Sequence, residues 1–91
     1  MNYTHLKSPQ GLEISFAVRM KNYLVVMTNF NPVHFENFTE NYLTGATGIH
    51  ELESIGVYDD GTGYMIYSLE SDYKKEILTE SVTQIFDEYF F

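Results

Sequence analysis

The chain has no cysteine, no tryptophan and only two prolines among its 91 residues. Without cysteine it can form neither a disulfide framework nor a thiolate metal site. No window approaches the run of about 18 apolar residues that a membrane-spanning helix needs. Residues 1–10 contain one lysine and no apolar run, so we expect no secretory signal and a cytoplasmic protein.

Basic residues are also scarce. The sequence has 5 lysines and arginines against 13 aspartates and glutamates, a net charge of −8. Residues 1–35 hold one acidic and three basic residues, a net +2, whereas residues 36–91 hold twelve acidic and two basic residues, a net −10. Such a surface repels phosphates, so direct binding to nucleic acid or to an anionic membrane is disfavoured and a basic partner is favoured. The alternative is that the charge serves solubility alone.

Despite these absences the chain has enough apolar material for one core. Hydrophobic residues make up 44% and aromatic residues 16% of the sequence. This length and composition predict one small acidic folded domain over residues 1–91 rather than a disordered segment.

Alternating apolar residues predict a first β-hairpin. From Leu12 to Met20 every second residue is apolar, which is typical of a half-buried strand. Residues 23–30 are apolar on both faces, which is typical of a strand inside a sheet. A tight turn joins the two strands, and residues 1–10 are expected to form a loop that leads into the first of them.

A helix is predicted over residues 32–44. Asn31 is a favourable N-cap, and Pro32 suits the first helical position. Aromatic and leucine side chains recur at helical spacing within this segment, while Glu36 and Glu40 face outward.

The second half of the chain repeats this order. Residues 50–58 and 64–69 predict two strands, with a phase slip near Ser54 or Gly56 that a β-bulge would repair. A hairpin loop lies between them at residues 59–63, with Asp-Gly as its turn signal. The order ββα-ββα predicts an α+β fold, in which two helices pack on one face of a four-stranded antiparallel sheet.

The other face of that sheet would be open and partly apolar. Its candidate members come from both hairpins: Ala17, Val25 or Val26, Ile55 or Val57, and tyrosines. Such a face suggests a homodimer or a surface for another protein. The alternative is that these are ordinary scattered apolar residues on the surface of a monomer.

The clearest helix is predicted over residues 71–91, with Ser71 as its N-cap. Its apolar stripe recurs at helical spacing through Leu78, Val82, Ile85 and Tyr89. Its opposite side carries four carboxylates within about 80° of one another: Asp72, Glu76, Glu80 and Asp87. We therefore expect one face to bury in the core and the other to present a narrow acidic stripe.

No motif points to catalysis or to a metal. The three histidines, His5, His34 and His50, are far apart in sequence and do not form a ligand pair. Residues 59–63 lack the alternating oxygen ligands of a calcium loop, and no glycine pattern matches a phosphate-binding loop. We expect no catalytic residues, no metal and no cofactor.

What remains is a surface rich in carboxylates and tyrosines. Carboxylates one helical turn apart are separated by about 6 Å, which is comparable to the spacing of successive phosphates along a nucleic-acid strand. The predicted partner-binding residues are the four carboxylates of the last helix together with Glu36, Glu40, Asp59, Asp60, Tyr58, Tyr64 and Tyr67. The tyrosines would act as anchors of the kind found at interface hot spots.

This combination favours a protein–protein interaction module rather than an enzyme. The most specific hypothesis is a small inhibitor that occupies the basic nucleic-acid site of a nuclease or effector complex. In size, charge and lack of a catalytic motif, the chain resembles the small acidic anti-restriction and anti-CRISPR proteins of phages as a class, although it shares no motif with a named family. The alternatives are an immunity protein to a nuclease toxin and a non-inhibitory homodimeric adaptor domain.

Overall fold

The computed structural model describes residues 3–32, 43–44, 46 and 48–91. The secondary structure within them is β1 (Thr4–Lys7), β2 (Glu13–Arg19), β3 (Tyr23–Thr28), β4 (Ile49–Val57), β5 (Gly63–Leu69) and α1 (Lys75–Phe90). All the strands belong to one antiparallel sheet in the order β1-β2-β3-β5-β4. The α+β class and the antiparallel sheet are therefore confirmed.

The predicted architecture of four strands and two helices is wrong, because the described residues form five strands and one helix. The additional strand is β1, in the segment predicted as a loop, where Leu6 pairs with Ile14 and packs against the core. Four residues with one large apolar side chain are too few for an alternating pattern to stand out. The helix predicted over 32–44 falls mainly on residues 33–42, which lie outside the described part of the chain.

β3 is the middle strand of the sheet, as its apolar character on both faces predicts. On one face Leu24 and Val26 are fully buried in the core. On the other face Val25 and Met27 are half-buried. The two faces of β3 therefore differ: one is a core surface and the other remains in contact with solvent.

β4, at the edge of the sheet, departs from regular register twice. The shifts lie between Ile49 and Glu51 and between Leu52 and Ser54. The predicted bulge near Ser54 is thus confirmed. The extra residue lets Leu52 pair with Tyr67 and pack against the core, although its phase differs from that of the rest of the strand.

α1 packs on one face of the sheet through an apolar stripe. Leu78, Val82 and Phe86 are fully buried in the same cluster as the inward side chains of β2, β3 and β5. Burial of side chains of this size stabilises the fold by about 1.5–3 kcal/mol each. Ile85 is half-buried, whereas Tyr89 is 38% exposed and lies at the margin of the stripe rather than within it.

α1 begins at Lys75, four residues later than predicted, and its N-cap is Lys74 rather than Ser71. The preceding residues form an anchored turn, in which the Tyr73 amide donates to the Glu70 carbonyl at 3.2 Å. The Glu70 amide in turn donates to the carbonyl of Gly48 at 2.9 Å. These bonds hold the chain against Gly48, so it cannot enter the helix before Lys74.

Candidate protein-binding surfaces

Three of the four predicted helix carboxylates lie on one exposed side of α1. Glu76, Glu80 and Asp87 are all exposed. On an ideal helix they fall within about 40° of one another and span about 16 Å along the axis. We refer to these three residues as the acidic helix face. It lies on the far side of α1 from Leu78 and Val82, so it points away from the sheet.

Cations of the same chain do not neutralise these carboxylates within the described residues. There, the one contact within 4.0 Å between a basic and an acidic side chain joins His50 Nδ1 on β4 to Glu70 Oε1 in the turn before the helix, at 3.7 Å. On α1 itself, Glu88 accepts a hydrogen bond from Gln84 Nε2 at 3.1 Å, and Gln84 is uncharged. The acidic helix face is therefore available to a positively charged ligand.

Asp72, the fourth predicted member of the stripe, precedes α1 and does not continue it. Asp72 is exposed in the anchored turn, beside a shallow cleft of about 220 Å³. The cleft is lined by Gly48, Glu70, Asp72, Tyr73, Lys74 and Ile77. Since Lys74 brings a positive charge to the same cleft, the N-terminal end of α1 is mixed in charge rather than uniformly acidic.

A second group of predicted residues meets at the loop between β4 and β5. The rings of Tyr58 and Tyr64 stack with centroids 4.6 Å apart. Asp59 and Asp60 are exposed in the loop beside them. The Thr62 amide donates to Asp60 Oδ1 at 2.9 Å, and this bond, together with one from the Thr62 side chain, lowers the pKa of Asp60 below its ordinary value of 3.8. We refer to these four predicted residues as the hairpin group.

The hairpin group and the turn before α1 lie at opposite ends of β5. The strand runs for 7 residues between them, which corresponds to about 20 Å. The hairpin group therefore lies about one strand length away from Asp72 in the turn before α1. A partner that binds the acidic helix face need not contact the hairpin group.

Three further predicted residues belong to neither the acidic helix face nor the hairpin group. Tyr67 is fully buried in the core, so its side chain cannot anchor a partner. The sequence did not reveal this because β5 is apolar on both faces and either phase of alternation fits. Glu36 and Glu40 lie outside the described residues.

The side of the sheet opposite α1 carries a cluster of apolar side chains that are half-buried except for Ala17, which is buried. Its members are Ala17, Val25, Met27, Tyr64 and Ile66, which we refer to as the open sheet face. Ala17 and Val25 were among the predicted candidates, whereas Val26 points into the core. The prediction of Ile55 or Val57 on this face is wrong: they pair with Met65 and Gly63 and therefore lie on the α1 side of the sheet, where both are exposed on the edge strand β4.

A depression lies at one end of β1, β2 and β3. Its volume is about 410 Å³, and it adjoins the open sheet face at Met27. Polar groups within it bond to one another, since His5 Nδ1 lies 2.7 Å from Ser15 Oγ and the side-chain oxygen of Asn29 accepts from the Glu13 amide at 2.9 Å. These bonds tie together the strand ends that form its floor.

Neither a metal centre nor a transmembrane helix is found within the described residues. Histidine, aspartate and glutamate side chains there do not gather in threes as a metal site would require. The helix in that part of the chain falls short of the length and apolar character needed to cross a membrane. Comparison of the chain with family models, curated proteins and solved structures found no match.

Proposed function

We propose that the protein binds a basic nucleic-acid-binding protein through its acidic helix face and inhibits it by occupying the nucleic-acid site. One observation carries this proposal: Glu76, Glu80 and Asp87 are exposed on one side of a helix, and among the described residues no lysine or arginine side-chain nitrogen lies within 4.0 Å of their carboxylate oxygens. The proposed role is binding rather than catalysis, in the cytoplasm.

The spacing of the carboxylates supports mimicry of a nucleic-acid backbone. Glu76 and Glu80 are one helical turn apart, so their side chains are separated by about 6 Å. Lysines and arginines arranged to meet successive phosphates can meet these carboxylates through similar charge-assisted hydrogen bonds. A nuclease or a nucleic-acid-guided effector complex would offer such a site. Because the same surface suits a nuclease toxin, an immunity protein is a variant of the proposal.

The test compares two variants with equal loss of charge. The helix variant carries Glu76→Gln, Glu80→Gln and Asp87→Asn, and the control carries Glu13→Gln, Glu53→Gln and Asp59→Asn. Each triple substitution changes the net charge from −8 to −5. All six residues are exposed, so both variants are expected to fold. Any difference between them reports where the charge lies rather than how much charge there is.

Each protein is immobilised and used to capture binding proteins from a lysate at low and at high salt. We expect the wild type and the control to retain a basic protein at low salt and lose it at high salt, because salt screens the charge pairs. The helix variant should not retain it. The captured protein is then mixed with nucleic acid, which should displace the wild-type chain.

Two results would overturn the proposal. One is capture of the same protein by the helix variant and the wild type, since the acidic helix face would then be dispensable. The other is a stable complex of captured protein, nucleic acid and this chain together, because a mimic must exclude nucleic acid. Loss of capture by the control alone would move the binding site to the sheet and the hairpin group.

A further inference from the structure

The register of the sheet arranges the side chains opposite α1 in rows that cross the strands. One row consists of Ala17 on β2, Val25 on β3, Ile66 on β5 and Ser54 on β4. The next row, toward the hairpin loop, consists of Ser15, Met27, Tyr64 and Gly56. The row on the other side consists of Arg19, Tyr23, Ser68 and Glu51. Within each row, the residues on β3 and β5 are equally far from the middle of the row, and so are the residues on β2 and β4.

We propose that a second copy of this chain covers the open sheet face, related by a two-fold axis that runs along the strands between β3 and β5. This axis exchanges β3 with β5 and β2 with β4. Val25 of each copy then faces Ile66 of the other, and Met27 faces Tyr64. The apolar centre of the face is complementary to itself, as a two-fold interface requires.

Charge is complementary under the same operation. Arg19 and Glu51 stand at equal distances on either side of the axis and in one row, so Arg19 of one copy faces Glu51 of the other. Both side chains are exposed. Each long side chain can follow the rotation of about 30° that is typical of packed sheets. The interface would contain this ion pair twice, at its two opposite edges.

Within one copy the two charges cannot satisfy each other. β3 and β5 lie between them, a separation of about 14 Å. The Arg19 Nη1 donates instead to Tyr3 Oη at 2.8 Å, which leaves its other donors for a second molecule. The charge on Glu51 is likewise without a cationic partner within 4.0 Å among the described residues.

The area of the face indicates a weak dimer. The four strands that overlap, each of about seven residues, cover about 450 Å². A standard interface buries about 800 Å² on each side. We therefore expect a dissociation constant of about 1 μM or weaker, with monomers at low concentration. The inference is independent of the proposed inhibitory function, because α1 lies on the other face of the sheet.

Charge reversal provides the test. Arg19→Glu places two glutamates opposite each other at both edges, and Glu51→Arg places two arginines there. We expect each variant alone to associate at least about tenfold more weakly than the wild type. An equimolar mixture should recover association, because the heterodimer restores both oppositely charged pairs. The double variant R19E/E51R should recover it as well.

Sedimentation equilibrium over a wide concentration range measures these affinities. Glu80→Arg is the matched control, since it reverses an exposed charge on α1 and should leave the dimer unchanged. Amide NMR shifts of the wild type provide a second readout: on concentration they should move in β2, β3, β4 and β5 and not in α1. A wild type that stays monomeric to millimolar concentration would overturn the proposal, as would a mixture no more associated than its components.

Discussion

Tyr64 lies across the backbone of Gly56, its cross-strand partner on β4. A Cβ atom placed on Gly56 would stand only 2.6 Å from the Tyr64 hydroxyl oxygen and 2.8 Å from Cζ. The ring also stacks on Tyr58. Because Gly56 has no Cβ, the aromatic ring can pack directly on its backbone at this edge position. The ring in turn shields that backbone from solvent.

We expect Gly56→Ala to displace the Tyr64 ring and break its stacking with Tyr58. The loss should reduce the free energy of unfolding by about 1 kcal/mol, the typical contribution of an aromatic pair. Urea unfolding measures the change, and the NMR shifts of the tyrosine rings report the displacement. The control is the same substitution in a Tyr64→Ala background, where the ring is absent and the cost should largely vanish. An equal cost in both backgrounds would show that the ring is not responsible.

The connection between β2 and β3 holds two non-glycine residues with positive φ. Met20 has φ 54° and Lys21 has φ 66°. A side chain in this region strains the backbone by about 1 kcal/mol or more, and glycine relieves the strain. We expect Lys21→Gly to raise the free energy of unfolding by less than this strain, because glycine also increases the entropy of the unfolded chain; the gain is measured as a higher urea midpoint with an unchanged slope.

Asn22 in the same connection provides the comparison. It is not among the residues with positive φ, so Asn22→Gly should give no gain and should lower stability through the greater entropy of the unfolded chain. If both glycine variants shift stability in the same direction, the strain at Lys21 is not what limits the turn.

The N-terminus of α1 is capped by a residue poorly suited to the position. Lys74 is extended, makes no side-chain cap hydrogen bond and places a cation at the positive end of the helix dipole. Lys74→Asp supplies both a hydrogen-bond acceptor and a negative charge. We expect it to raise the free energy of unfolding by about 1 kcal/mol, measured as a higher melting temperature. Lys74→Ala removes the cation without adding an acceptor. A gain of equal size in both variants would mean that charge alone matters.

Asp60 gives the stability of the protein a small pH dependence of known sign. Hydrogen bonds from Thr62 lower its folded-state pKa below the ordinary 3.8. The stabilisation is therefore fully present above 3.8 and is lost as the pH falls through the lowered value. Asp60→Asn should be less stable than the wild type at neutral pH and equal to it in strong acid. Urea unfolding across that range, with Asp59→Asn as a control for charge in the same loop, measures the difference.

The elements that sequence predicts well are those whose pattern is local. Alternation revealed β2, helical spacing revealed Leu78 and Val82, and the phase slip revealed the bulge at Ser54. β1 was not predicted because so short a strand has almost no alternating pattern of its own. Its pairing with β2 defines it as a strand. Ser71 resembles an N-cap in isolation, but the hydrogen bond from Glu70 to Gly48 delays the helix.

The candidate surfaces were harder to predict because they depend on which strands are neighbours. Helical spacing predicts the acidic helix face correctly, except that the predicted stripe also included Asp72, which precedes α1. The open sheet face depends on the pairing of β3 with β5, which brings Val25 beside Ile66 although 40 residues separate them in the sequence. No periodicity in the chain encodes that adjacency.

The placement of α1 on one side of the sheet, with the apolar cluster on the other, has a consequence for stoichiometry. If two copies join back to back, their α1 helices lie on opposite outer sides of the assembly. Each assembly would then be bivalent and could bridge two target molecules or engage both halves of a symmetric one. This avidity would raise the apparent affinity for the target at high concentration. It would be lost on dilution, because the dimers dissociate into monovalent monomers.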